Sequence, residues 1–406
     1  MRIGIYCGGQ NPVLCGSYTF ENEIFRALIN SDVEGDLTFV LYGHEKEPPT
    51  VLPAVPHIEW ASLYCSPKNN FLSKVSRLNR KLMNGLSFSK NKAKVLSGHE
   101  ENIKQFRERH KIDVLWFFGP YGLELDVPYI ATVWDLQHRL QPYFPEVSFG
   151  TEWNEREKYY ETFLRKASFI LTGTQVGKTE VEKFYQISSE RIRVIPFPTP
   201  QMKAEKADFH AKNILEKYKI PNKYLLYPAR FFPHKNHANL LLATKLLNEK
   251  YGYEFPVVFV GPDAGNQGYI KKLTAELGLN KQVHFLGFVP KEDLQALYKA
   301  AFALTFVTFF GPDNLPPLEA FSLGCPVIAS KVSGAEEQLG DSALLVDPKD
   351  PEHIASAIKN LWEDEALRQN LVQSGYDRAA RYTGKHYVKE VFTILREFQA
   401  IRRCWQ

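Results

Sequence analysis

Little in this sequence supports covalent stapling or metal capture. It has five cysteines (Cys7, Cys15, Cys65, Cys325, Cys404), an odd number with no CxxC or Cys/His spacing. A disulfide framework and a zinc site are both disfavoured, and a reducing cytoplasm is the plain reading. Long apolar runs are missing too. The longest, Ala300–Phe310, contains two threonines and falls well short of the ~20 residues needed to span a bilayer. The opening Met1-Arg-Ile-Gly-Ile-Tyr-Cys-Gly-Gly has too short an apolar run for a signal-peptide core and reads as a first strand and turn. Nor is charge of one sign in excess. Fifty Lys plus Arg against 46 Asp plus Glu leave a formal +4, too little to argue for nucleic-acid binding from bulk charge.

What is present is an ordinary globular composition on a large scale. With 406 residues, 44% hydrophobic and 24% charged, the chain can bury a sizeable core and is long enough for two α/β domains. Short β-branched or aromatic runs alternate with longer helical periods, the pattern of parallel sheets with crossover helices. Strand candidates in the first half are Ile3–Cys7, Leu37–Tyr42, Val114–Phe118, Tyr129–Trp134, Phe169–Thr172 and Arg193–Pro196. The second half offers Tyr224–Tyr227, Pro256–Val260, Val283–Leu286, Ala303–Val307, Pro326–Ala329 and Ala343–Val346, with helices at Asn239–Lys250, Tyr269–Leu277 and Glu292–Ala300. Two doubly wound α/β domains are therefore expected, 1–199 and 200–385, parted near Pro196-Phe-Pro-Thr-Pro200, where proline density interrupts helices and ladders alike. The remainder, 386–406, has helical periodicity and is expected to pack back toward the first domain. Open parallel sheets bind ligands beyond the carboxyl ends of their strands, so function should lie in the post-strand loops.

Several of these loops carry chemistry. Gly8-Gly9-Gln10-Asn11-Pro12-Val13-Leu14-Cys15-Gly16-Ser17-Tyr18 precedes a helix expected to start near Thr19; it is either a structural turn or a close approach of backbone to an anionic ligand. Its spacing is not GxGxxG, which disfavours a dinucleotide-binding dehydrogenase. Gly173-Thr-Gln-Val-Gly177-Lys178-Thr179 has three residues between glycines where a Walker A loop needs four. The loop Ala229-Arg230-Phe-Phe-Pro-His-Lys235-Asn236 presents two cations five residues apart, suited to a pyrophosphate and the charge growing on it as it leaves. Phe310-Gly311-Pro312-Asp313-Asn314-Leu315-Pro316-Pro317-Leu318-Glu319 leads into a helix, with Glu319 expected in its first turn, ready to accept hydrogen bonds from ligand hydroxyls. A plain helix-start acid would explain Glu319 alone, not the surrounding prolines and glycines.

Together, Arg230-x4-Lys235-Asn236, Val260-Gly261-Pro262-Asp263, His284-Phe-Leu-Gly287-Phe288, Leu315-Pro-Pro-Leu-Glu319-Ala, Gly324-Cys-Pro-Val and Leu345-Val-Asp-Pro348 resemble, in order and spacing, the glycosyl-transferase group 1 family, the retaining nucleotide-sugar glycosyltransferases of GT-B fold. The resemblance covers residues 222–385 well and the first half loosely. It implies two Rossmann-like domains facing across a cleft, a nucleoside diphosphate sugar as donor, and neither a cofactor nor a metal. Arg230 and Lys235 would contact the donor diphosphate, Glu319 the ribose hydroxyls, and Gly287 and Phe288 the base, with Gly16, Gly261, Asn314 and Leu315 also around the donor. The family's Glu-x7-Glu is not kept: Gly311 stands where the first Glu would be, so Asp313 or backbone groups take its role, or sugar recognition differs. Asp135 and His138 follow the strand Tyr129–Trp134 and occupy the region where family members place a His or Asp near the reacting sugar.

One stretch stands apart. Between Glu59 and Glu100 there is no acidic residue, while Lys68, Lys74, Arg77, Arg80, Lys81, Lys90, Lys92 and Lys94 accumulate. Phe71, Leu72, Val75, Leu78 and Leu82 follow helical spacing beside these cations, so 68–94 either docks on an anionic membrane surface or covers the first domain's core. The reading that emerges is a cytoplasmic, metal-independent hexosyl transferase, peripheral at the inner membrane face, that adds sugar to a growing lipid-linked glycan. Its partners are the nucleotide sugar and the glycan or lipid-linked acceptor, with no nucleic acid. A soluble transferase acting on a small metabolite and a non-catalytic nucleotide-sugar-binding protein are the alternatives.

Overall fold

In a computed structural model the described residues are 1–6, 16–33, 36–43, 55–62, 106–120, 127–202 and 213–405. The basic segment 68–94 and residues 8–15 of the glycine-bearing loop lie outside them. Cys325 is buried and Cys404 exposed, both as free thiols.

The first sheet has seven strands: β1 (Arg2–Tyr6), β2 (Thr38–Gly43), β3 (Ile58–Ser62), β4 (Val114–Trp116), β5 (Tyr129–Val133), β6 (Phe169–Thr172) and β7 (Ile192–Val194). They run in the order β3-β2-β1-β4-β5-β6-β7. The second has β8 (Leu225–Pro228), β9 (Val257–Val260), β10 (Val283–Gly287), β11 (Ala303–Phe306), β12 (Val327–Ser330) and β13 (Leu344–Val346), ordered β10-β9-β8-β11-β12-β13. Neighbours pair in parallel throughout; in each sheet the order reverses beside the first strand, and a switch point of this kind opens a crevice.

Period-two alternation assigns each face of the first sheet to a different core. Ile3, Ile5, Phe39, Leu41 and Trp116 join a cluster continuous with the second domain. Val40, Tyr42, Leu115 and Phe117 point the other way, against Tyr160, Phe163 and Leu164 of the helix Glu152–Lys166. At the end of the chain, the helix Glu365–Arg381 packs on the second domain, Gly375 lying against Phe321. The chain then crosses beside the earlier passage, Thr199 N donating to Tyr382 O at 2.7 Å. The helix Gly384–Arg402 covers the first sheet, with Phe392 stacked on Phe39 at 5.5 Å and Tyr387 edge-on to Phe20 at 5.7 Å. Each such buried aromatic is worth about 1.5–3 kcal/mol, so this last helix is a structural part of the first domain.

Candidate active site

Between the two sheets lies a cleft of about 420 Å³ whose walls come from both domains. Its second-domain wall starts at β8. Pro228 ends that strand, and the chain passes Arg230 into a tight turn, Pro233–Lys235, closed by Asn236 in the left-handed region (φ 55°). Asn236 Nδ2 donates to Val307 O at 2.7 Å and to Pro348 O at 2.8 Å, while Tyr227 Oη donates to Lys235 O. The turn is thus pinned from three directions. Lys235 Nζ lies 5.3 Å from the Phe306 ring and the Arg230 guanidinium 4.9 Å from that of Phe232. Arg230 Nε is buried without a hydrogen-bond partner, and neither cation has a carboxylate partner among the described residues. Burial brings the Lys235 ammonium down to about 8, against the opposing charges of Asp135 and Glu146.

A side pocket of about 170 Å³ continues from Arg230 toward Gly261, Phe288 and Glu319. Gly261 (φ 145°) has no room for a side chain, since a Cβ would run into Ala229 O, and its N–H donates to Gly287 O at 2.8 Å. Gly287 (φ 67°) turns the chain at the end of β10 and leaves Phe288 half exposed on the pocket rim. Glu319 departs from the sequence expectation: its helix is Leu315–Ser322, so it sits fifth, in the second turn. Pro316 and Pro317 occupy the first turn, where their missing N–H groups leave no bond unmade. Tyr298 Oη donates to Glu319 Oε2 at 2.8 Å; burial raises the carboxyl, opposed by that bond and by Lys291.

The loop before this helix explains Gly311. Its φ is 136°, and a Cβ there would collide with the Asn314 side chain, whose Nδ2 donates to Gly311 O at 2.7 Å. Asn314 is held in turn by Gln338, through N to Oε1 and Nε2 to O, both at 3.0 Å. No glutamate fits position 311 in this backbone. Asp313 points across to the first domain, where Gly173 is bare because a Cβ would meet the Asp313 carboxylate. Burial pushes the Asp313 carboxyl far above its ordinary range, reinforced by Glu337, Glu180 and Asp135.

On the first-domain wall, the helix Gly16–Ile29 begins three residues earlier than its sequence suggests, and Gly16 lies against Leu315. Asp135 lines the cleft but is engaged: Arg156 donates to it at 2.7 Å and Gln137 N at 2.9 Å. Burial opposes ionisation there, yet Arg156 and these bonds hold the carboxyl below its ordinary value. His138 is not brought to the cleft. Its side chain is fully buried, stacked on Tyr160 at 5.6 Å, with Nε2 3.2 Å from Glu157 and 3.3 Å from Tyr185 Oη, and burial lowers the imidazole to about 4. The histidine at the cleft is His234. Its N–H donates to Glu146 Oε1 at 3.0 Å and its Nδ1 meets the same oxygen, so the first domain grips the turn that carries Lys235. Its place between Pro233 and Lys235 was the available signal. Among the described residues no group of three or more His, Cys, Asp or Glu stands together as a metal-ligand set.

Residues 211–378, which hold nearly all of the second-domain wall, match the family model described as "Glycosyl transferases group 1". By this match and its relatives, the chain is a glycosyltransferase. It is 27% identical to O-antigen chain mannosyltransferase B of Escherichia coli over 69% of this chain and 76% of that one. It is 29% identical to O-antigen chain mannosyltransferase RfbU of Salmonella typhimurium over 59% and 64%. A third relative, the serotype-specific mannosyltransferase WbdA of Escherichia coli, is matched over only 33% of its length. In structure the transferase resembles sucrose-phosphate synthase of Thermosynechococcus elongatus (TM-score 0.71, 17% identity, 98% and 99% of the two chains). It also resembles Anabaena HepE in complex with UDP (TM-score 0.64, 17% identity, 98% and 100%). These likenesses establish the GT-B fold. No helix among the described residues is long and apolar enough to cross a membrane.

Proposed function

We propose that this transferase moves mannose, with retention, from a nucleoside diphosphate donor to the end of a growing surface polysaccharide. The observation that carries the donor is the pair Arg230 and Lys235: two cations at one cleft wall, fixed by their loop and without carboxylate partners among the described residues. Charge held partly out of water without a partner is costly unless a ligand supplies the counter-charge. A diphosphate does so, and its nucleoside then extends into the side pocket, where Glu319 accepts from the ribose hydroxyls and Phe288 flanks the base.

In the transfer, the bond between the anomeric carbon and the diphosphate oxygen breaks as an acceptor hydroxyl forms its bond on the same face. The hydroxyl proton passes to the departing phosphate oxygen. Arg230 and Lys235 stabilise the negative charge growing on the leaving group, a preorganised electrostatic role. Asp313 lines the cleft beside the diphosphate loop and reaches toward the sugar in place of the side chain that position 311 cannot carry. The mannosyltransferase relatives support mannose and a glycan acceptor. The test is thermal stabilisation by GDP, UDP and ADP and their sugars, followed by product analysis with the stabilising donor. GDP-mannose or another nucleotide sugar should raise Tm and yield an α-linked product. A β-linked product from an α-linked donor would rule out retention, and no stabilisation by any nucleotide would remove the donor assignment.

A further inference from the structure

Beyond Phe310 the cleft opens into a second groove of about 770 Å³, within the roughly 300–1,000 Å³ of typical ligand sites. One bank is first-domain: the turn carrying Gln141, Tyr143 and Phe144, with Glu180. The opposite bank is built from segments that follow β11, β12 and β13, namely Phe309, Lys331 to Ser333 and Asp347 to Lys349. The side pocket that receives the nucleoside lies on the other half of the same sheet, after β9 and β10. Arg230 and Lys235, after the central strand β8, stand between the two, and Phe310 lines both the cleft and the groove.

We infer that this groove holds the outermost sugars of the glycan acceptor, an inference that rests on the transferase reading above. Its surface is that of a carbohydrate site. Tyr143 is 71% exposed and lies 5.0 Å from Phe144, which stacks on Phe309 at 5.9 Å and 25°. This run of aromatic rings crosses the domain boundary and is secured by Gln141 Nε2 donating to Phe309 O at 3.0 Å. The electron-rich face of an exposed ring suits the C–H face of a pyranose. Around the rings stand groups that serve hydroxyls as donors and acceptors: Ser333, Asp347, Lys349 and Glu180. An acyl chain would want an uninterrupted apolar wall. A phosphate would want surplus cations, yet Lys331 is paired with Glu336 at 2.9 Å and the remaining charges are of both signs. Position also fits the chemistry, because same-face attack requires the acceptor to approach beside the diphosphate, and the groove meets the cleft there.

The experiment is calorimetric titration of the full chain, held with GDP or whichever nucleoside diphosphate stabilises it, with octyl α-mannosides of one to four sugars. Affinity should rise with glycan length, and Tyr143→Ala should weaken the longer ligands about tenfold, the loss of one stacking partner. Ser333→Trp, which fills the groove from its other bank, should do the same. Both variants should keep the wild-type Tm and nucleotide affinity. Glycan binding equal to wild type in both variants would overturn the assignment, as would a wild-type affinity that is absent or does not grow with length while nucleotide still binds. Tyr143-dependent glycan binding without any nucleotide binding would instead uphold the groove and remove the donor reading.

Discussion

The two sheets share one winding scheme, yet their post-strand loops treat charge in opposite ways. In the first domain the two site candidates after β5 are spent internally: Asp135 on Arg156, and His138 beside Glu157 and Tyr185. In the second, Arg230 and Lys235 come off β8 into a pinned turn and meet no carboxylate among the described residues. A satisfied charge reports on folding, while a charge held rigidly without a partner reports on a ligand. The contrast therefore predicts which substitutions impair activity and which impair stability.

The largest effect should follow Arg230→Ala or Lys235→Ala. Each should lower kcat by about 10²–10³, as for loss of one preorganised donor at a developing charge, with Tm within about 2 °C of wild type. Steady-state kinetics beside a thermal melt measure both, and a large Tm loss with kcat intact would reverse the contrast. Next is Glu319→Gln. A charged acceptor shared between ribose hydroxyls is worth roughly 1.5–3 kcal/mol, so nucleoside diphosphate affinity should fall about ten- to a hundredfold by calorimetry. Unchanged affinity would take Glu319 out of the donor pocket and leave it as a partner of Tyr298 alone.

Arg156→Ala tests the first-domain side. It leaves Asp135 without its cation, and since about a third of each side chain meets water the cost should be near 1–2 kcal/mol of stability rather than the several expected of a fully buried pair. Denaturant unfolding would read it. A kcat loss as large as that of Lys235→Ala, with stability unchanged, would place Asp135 among the groups that touch substrate.

The sequence conveyed backbone better than orientation. Strand spans such as Phe169–Thr172 were legible because both sheet faces are buried and parallel strands read as unbroken apolar runs. β3 was missed: Ile58-Glu59-Trp60-Ala61-Ser62 is an edge strand whose polar residues dilute that signal. Arg230, Lys235, Gly261 and Glu319 were legible as an ordered set, since spacing survives in the chain even when geometry does not. His138 was not: whether a loop side chain turns to the cleft or the core depends on Tyr160 and Glu157, residues from another helix. The grip of Glu146 on His234 joins residues 88 positions apart, a pairing no local pattern contains.

The smallest expected effect belongs to the seam between the domains. Glu180 lies on the helix Gln175–Tyr185, whose N-terminus meets the second domain as Gln175 N donates to Glu337 Oε1 at 2.6 Å. Glu180 Oε2 is buried without a hydrogen bond, and burial, aided by the charge of Asp135 and opposed by Lys183, raises the carboxyl from 4.5 to about 7. A carboxyl raised on folding binds its proton more tightly in the native state. Its favourable contribution is complete below the unfolded value near 4.5 and is lost as pH climbs through 7. Asp313 faces the same seam and shifts in the same direction, whereas the pairs of Arg156 with Asp135 and Arg139 with Glu157 shift their carboxyls down and act oppositely. Glu180→Gln keeps the size and hydrogen-bonding reach while removing the ionisation, so it should flatten the fall in Tm between pH 4.5 and 8. At pH 8 the variant should melt about 2 °C higher than wild type, and at pH 4.5 the two should coincide. Parallel Tm–pH curves would show that the Glu180 carboxylate is solvated in solution and that its ionisation carries no cost to the fold.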